Sequence, residues 1–79
     1  MSKDLIQKNI KLSSEFDEYV SRHPKASERI PAGAHIVITS SRDAALSVAN
    51  TTIARDSRSI NFIEAHKYDG RWHIRVFEK

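Results

Sequence analysis

The sequence contains no cysteine, two prolines, two glycines and few aromatic residues (one tryptophan, two tyrosines and three phenylalanines) among 79 residues. Without cysteine the chain can form no disulfide and no thiolate metal site. Two glycines are too few for a glycine-rich phosphate-binding loop. No apolar run is long enough to span a bilayer, and the first residues lack the apolar region of a signal peptide. We therefore expect a cytoplasmic protein without a membrane partner.

Charge is not concentrated in any segment. Thirteen Lys and Arg against ten Asp and Glu give a net charge of +3. Residues 1–33, 34–59 and 60–79 each carry a surplus of one positive charge, so the sequence contains no basic stripe. A nucleic-acid partner is therefore less favoured than a protein partner. The length predicts a single domain, 1–79.

Residues 60–79 have the pattern of a β-hairpin. Two strand-forming runs flank Asp69-Gly70, a dipeptide typical of two-residue turns. This turn would pair Tyr68 with Arg71 and, further along, His66 with His73. One face should be buried, with Ile63, Ala65, Trp72, Ile74 and Val76. The other should carry Phe62, Glu64, His66, Tyr68, Arg71, His73, Arg75 and Phe77.

The rest of the chain predicts two long helices with a strand between them. The first helix should span 3–22, with Ser2 as its cap and an apolar stripe. Residues 24–30 could form one helical turn, and 34–39 a strand. A capping-box-like segment, 40–43, precedes a second helix over 42–54. The apolar stripes of the two long helices are Leu5, Leu12, Phe16, Tyr19 and Val20, and Ala45, Leu46, Ala49 and Ile53.

The order helix, strand, helix, strand, strand predicts an α/β (α+β) fold. A strand–helix–strand unit usually gives parallel strands, and the hairpin adds an antiparallel one. We expect a two-layer sandwich with a small three-stranded mixed sheet, helices on one face and the other face uncovered. An uncovered face with apolar groups favours a homodimer.

The first half of the chain resembles a family of short uncharacterised prokaryotic proteins, a domain of unknown function, over roughly residues 5–38. The matching positions are Lys8-Asn9, Leu12, Glu15-Phe16, Tyr19, His23-Pro24, Ile30-Pro31 and Ala34. The resemblance implies a small α/β fold and no particular activity. The chain departs from the family pattern where 39–43 replaces an acidic loop, and in a longer terminal hairpin.

Three groups of residues are candidate sites. Ser40, Ser41 and Arg42 precede a helix and could bind an anion, although an ordinary helix cap is the favoured interpretation. His66 and His73, with His35, could bind a metal ion, although histidine pairs on hairpins are usually surface or interface residues. The third group, on the outer hairpin face, would be a partner or dimer interface: Phe62, His66, Tyr68, Arg71, His73, Arg75 and Phe77.

The sequence thus predicts a small self-associating binding or regulatory accessory protein that uses the open face of its sheet and needs no cofactor. One alternative is nucleic-acid binding through the aromatic and basic hairpin face. A second is a small metal- or phosphate-dependent enzyme with a site at a dimer seam, where His66 or His73 acts as base. No catalytic residues can be assigned, because no nucleophile–base–acid arrangement is evident.

Overall fold

The computed structural model describes residues 2–58 and 61–77 and has the expected α+β fold. In chain order its elements are α1 (Lys3–Arg22), α2 (Pro24–Ser27), β1 (His35–Ser40), α3 (Ala44–Asp56), β2 (Phe62–Tyr68) and β3 (Arg71–Val76). The three strands form one sheet in the order β1-β2-β3. β1 and β2 are parallel, and β2 and β3 are antiparallel. The fold class predicted from the sequence is therefore confirmed.

Helix α1 begins and ends where local sequence rules place it. The Ser2 hydroxyl accepts a hydrogen bond from the Leu5 N–H at 3.2 Å and caps the first turn. His23 ends the helix because the following Pro24 disfavours helical geometry at the residue before it. The His23 ring stacks on Tyr19, and its Nδ1 lies 2.8 Å from the Tyr19 carbonyl oxygen. The predicted apolar stripe of α1 packs on the sheet around the buried Phe16.

The hairpin register is the one that its turn dictates. Asp69 and Gly70 both have positive φ, at 51° and 74°, as a type I′ turn requires. Tyr68 pairs with Arg71, and His66 with His73. Of the predicted inner face, Ile63 and Ala65 are buried and Trp72 and Ile74 partly buried. The prediction for Val76 is wrong: it is 67% exposed, because none of the described elements covers that end of β3.

Helix α3 begins two residues later than predicted. Ser40 ends β1, and Asp43 is the cap instead, since its carboxylate accepts the Leu46 N–H at 3.0 Å. The helix lies along β1, so its buried residues reach both sides of the sheet. Leu46 packs with Ile38 beneath α1, and Ala54 packs on the opposite side.

The position of α3 changes the outer face of the sheet. Val37, Phe77 and Ala54 form a second buried cluster there, with Phe62 packed against it. The expectation that this whole face is uncovered is therefore wrong over its β1 half. Because of this cluster, Ile53 of the predicted α3 stripe is exposed and Ala54 is buried in its place.

Candidate functional site

A polar network lies on the outer face, where β1 meets β2. The Thr39 hydroxyl is 2.6 Å from Glu64 Oε2 and 2.7 Å from His66 Nδ1. Arg75 on β3 donates two hydrogen bonds to the Glu64 carboxylate, at 3.0 and 3.1 Å. Parallel pairing of β1 with β2 sets Thr39 beside His66, and the hairpin register sets Arg75 opposite Glu64.

The Glu64 carboxylate is held in its charged form. Burial alone would raise its pKa, but the hydrogen bonds from Arg75 and Thr39 and the charge of Arg75 outweigh burial and lower it. Reciprocally, Glu64 raises the pKa of Arg75. A carboxylate with these partners is a structural anchor for the two strands and a poor general base.

The network also fixes the orientation of the His66 ring. A hydroxyl has one hydrogen, and a charged Glu64 only accepts hydrogen bonds, so Thr39 donates to Glu64. His66 Nδ1 must then carry a hydrogen and donate to the Thr39 oxygen. The ring is locked, with its Nε2 edge turned away from this network.

The three candidate metal ligands do not lie together. His35 pairs in register with Phe62, with the two rings tilted against each other, whereas His66 lies beside Thr39 at the other end of β1. His66 and His73 are opposite one another, as predicted. Within residues 2–58 and 61–77, no group of three or more histidine, aspartate or glutamate side chains is arranged to hold a metal ion.

The candidate anion-binding loop, Ser40 to Arg42, has already used its backbone donors. The Ser40 N–H donates to Ser47 Oγ, the Ser41 N–H to the Lys67 carbonyl, and the Arg42 N–H to Ser40 Oγ. Asp43 places a carboxylate at the start of α3, where an external anion would bind. The Leu46 N–H and then Lys8 lower the pKa of Asp43, which keeps that carboxylate charged. The geometry favours the helix-cap interpretation of this loop.

The loop lines a cleft of about 590 Å³ between α1, the end of β1 and the hairpin turn. Its ionisable lining residues are Lys8, Lys11, Glu15, Arg42, Asp43, Lys67 and Asp69. Two ion pairs form among these residues: Lys8 with Asp43, at 3.2 Å, and Lys67 with Glu15. The charges in this cleft are largely balanced internally, so it presents no strong preference for an anion.

The exposed part of the outer face lies on the hairpin. Tyr68, Arg71, His73 and Arg75 are exposed, and we call these four residues the hairpin face. His66 is half-buried beside them, and Phe62 is partly buried. Phe77, predicted for the same surface, is 8% exposed and belongs to the core. The predicted stacking surface therefore has the ring of Tyr68 and the smaller imidazole of His73 exposed, and the two phenylalanines are covered.

A groove follows the other side of β3, toward α1 and α2. Tyr19, His23, Trp72 and Ile74 contribute apolar and aromatic surface, and Lys25 and Arg29 stand at its margin. Its volume is about 360 Å³. Sequence reasoning missed this site. The available signal was two cations four residues apart, in the short helix and the turn that follow the aromatic end of α1.

The sequence of this chain matches a known protein family. The model of a family of unknown function, DUF5647, matches residues 4–78. This chain belongs to that family. The resemblance seen in the first half of the sequence is confirmed, and the DUF5647 match extends through α3 and the hairpin. No curated protein and no solved structure matches the DUF5647 chain. Among its described residues no helix is both long and apolar enough to cross a membrane.

Proposed function

We propose that this chain is a non-catalytic accessory protein that binds a protein partner along the β3 side of its sheet. The observation that carries the proposal is the exposure of β3. The opposite edge strand, β1, is packed against α3, whereas β3 packs mainly on β2 and reaches the core under α1 through Trp72 and Ile74. The hairpin face on one side and the groove at Trp72 on the other give β3 two contact surfaces. Both surfaces combine aromatic and cationic groups, as protein interfaces often do.

The internal pairing of the other polar groups also supports binding rather than catalysis. Glu64 is bound by Arg75 and Thr39, and Asp43 caps α3. These carboxylates have structural partners, so neither is poised to transfer a proton. Nucleic-acid binding through the hairpin face has less support than protein binding, because stacking uses several large exposed rings and Tyr68 has only the imidazole of His73 beside it there.

A photo-crosslinking amino acid at position 73 tests this proposal. The matched control carries the same group at Thr52, an exposed residue of α3 at the other edge of the sheet. On irradiation in cells that express the protein naturally, the variant at 73 should form one discrete adduct, identified by mass spectrometry, and the variant at 52 should not. Equal labelling from both positions, or none at 73, would sink the proposal.

Self-association, which the sequence favours, would use a different surface. Ile6, Ile10, Ile36 and Ile53 are 37–62% exposed. Ile36 and Ile53 line one groove together with Asn9 of α1, and Ile6 and Ile10 lie on the flank of α1 beside Asn9. We propose that a homodimer forms through these four isoleucines.

Light scattering at low and high salt tests the homodimer. A dimer at both salt concentrations is expected, since apolar contacts are not screened. Ile53→Lys should give a monomer, and the control Val48→Lys, at an exposed site on another face of α3, should not. A wild-type monomer at both salt concentrations would refute the homodimer and leave the β3 proposal standing.

A further inference from the structure

The outer edge of β3 presents a row of backbone hydrogen-bonding groups. The Phe77 N–H donates to the Phe62 carbonyl at 3.0 Å, so residues 62 and 77 are a hydrogen-bonded pair. Alternation along an antiparallel ladder then makes 64–75, 66–73 and 68–71 the bonded pairs. The N–H and C=O groups of Trp72, Ile74 and Val76 consequently point away from β2. Within the described parts of the chain they form no backbone hydrogen bond on that side.

Positive charge flanks this edge on both faces of the sheet. Arg71 and Arg75 project from the outer face, and Lys25 and Arg29 border the groove on the inner face. Arg75 already forms an ion pair with Glu64. Arg71, Lys25 and Arg29 have no ion-pair partner among the residues that the structure describes.

A second copy of this chain does not fit the edge. Two β3 strands paired about a twofold axis, with their helices on one side, would place Arg71, His73 and Arg75 opposite the same set on the partner. Like charges directly opposite one another destabilise a strand pair. Charged side chains on an edge strand are a common protection against such self-pairing.

We propose that the β3 edge binds an extended acidic segment of a partner protein, which adds as a fourth strand. This inference rests on the proposed binding function and names the class of partner. The backbone groups of Trp72, Ile74 and Val76 supply the hydrogen bonds, and the positive side chains beside them select an acidic segment. The bound segment alternates acidic residues, opposite the Arg71–Arg75 row, with apolar residues that face Trp72 and Ile74.

A short acetylated peptide of alternating glutamate and valine, long enough to span β3, is the probe. Titration is followed by NMR amide shifts and hydrogen exchange of the full chain. The N–H groups of Trp72, Ile74 and Val76 should exchange more slowly on binding, and affinity should fall as salt rises. A peptide with glutamine in place of glutamate should bind at least about tenfold more weakly, since each lost cross-strand ion pair weakens binding by a few-fold. Methylation of the peptide nitrogens that face β3 should abolish binding.

Alanine substitutions in this chain distinguish peptide binding by strand pairing from general attraction between opposite charges. Arg71→Ala should weaken peptide binding about threefold, because it removes a cross-strand ion pair, whereas Arg29→Ala, on the inner face where the peptide carries valine, should weaken it less. Arg55→Ala is the matched control, because Arg55 is an exposed cation on α3, at the β1 side of the sheet. Its affinity for the peptide should equal that of the unmodified chain.

Three results would overturn the inference. The glutamate peptide could bind without slowing exchange at Trp72, Ile74 and Val76, which would show adsorption to charge alone. An oligothymidine strand could bind where the peptide does not, which would make the ligand a nucleic acid. The peptide could fail to bind although crosslinking at position 73 captures a protein, in which case the binding function stands and the acidic strand does not. Absence of both the crosslink and peptide binding would refute the function itself.

Discussion

The two edge strands of the sheet, β1 and β3, are protected in different ways, although both are short and alternate polar with apolar residues. Along β1, α3 supplies side chains to the edge: Asn50 Nδ2 donates to the Ile38 carbonyl at 2.8 Å, and Ser47 Oγ accepts the Ser40 N–H at 2.9 Å. Along β3 none of the three described helices donates or accepts such a hydrogen bond, and Arg71 and Arg75 flank the edge instead. One edge is closed by hydrogen bonds and contributes to stability. The other is protected by charge and stays available to a partner.

Asn50 links the closed edge to α1 as well. Asn9 and Asn50 exchange two side-chain hydrogen bonds, at 3.1 and 2.7 Å. Asn9 lies within the apolar stripe of α1, where an unpaired amide would be costly. The amide pair therefore fixes the register between α1, α3 and β1.

The largest expected effect of a single change is at the closed edge. Leu46 is fully buried between α1, α3 and the sheet. Leu46→Ala should lower the free energy of unfolding by about 2–5 kcal/mol, because it leaves a cavity. At the open edge, Val76→Thr should change it by less than about 0.5 kcal/mol, as is typical of an exposed site. Urea denaturation measures both, and similar values would remove the contrast between the edges.

A smaller loss is expected from Asn50→Ala. The change removes the hydrogen bonds that Asn50 makes with the Ile38 carbonyl and with the Asn9 side chain, which should cost about 1–3 kcal/mol of unfolding free energy. Urea denaturation of Asn9→Ala and of the double variant completes the cycle. The double variant should lose less than the sum of the two single losses, because the two amides stabilise each other. Thr52→Ala, at an exposed α3 site, is the control; additive losses would show that the amide pair is not a unit.

The smallest expected effect is a change of stability with pH. It depends on Glu64, which lies on the central strand β2, between the two edge strands. The folded-state pKa of Glu64 is lowered from 4.5, so its contribution is fully present above pH 4.5 and is lost as pH falls through the folded-state value. Wild type should therefore be more stable than Glu64→Gln near neutral pH, and the two should converge in acid. Thermal denaturation from pH 7 to pH 3 measures this convergence. Asp43 also has a lowered pKa but is common to both proteins, so it cancels in the difference. A gap that stays constant over this range would mean that Glu64 is not stabilised in its charged form.

Local rules were sufficient for much of the fold. The bounds of α1 follow from Ser2 and Pro24, and the hairpin register follows from Asp69-Gly70. The parallel pairing of β1 with β2 follows from the helix between them. In the site, the pairs His66–His73 and Glu64–Arg75 were predictable from the turn alone.

Other features depend on how α3 packs. Alternation along a strand separates two faces, but it does not say which face a helix covers or how far that cover extends. The burial of Phe77 follows from its contact with Ala54 and Val37, far away in sequence. The same limitation applies to Val76, which has the pattern of a core residue and is exposed because no element within 2–58 and 61–77 packs over it.

By itself the sequence determined the elements, their order, the register of the hairpin and the side of the strand on which each residue lies, since short-range geometry sets all of these. Only the tertiary structure decided that α3 lies along β1, that Thr39 joins Glu64 to His66, and that Lys25 and Arg29 stand beside β3. These contacts join residues distant in the chain, and their geometry depends on the packing of whole elements. The open β3 edge is a consequence of that packing, because α3 lies along β1, whereas among the described elements α1 meets β3 on its inner face, at Trp72 and Ile74, and not along its edge.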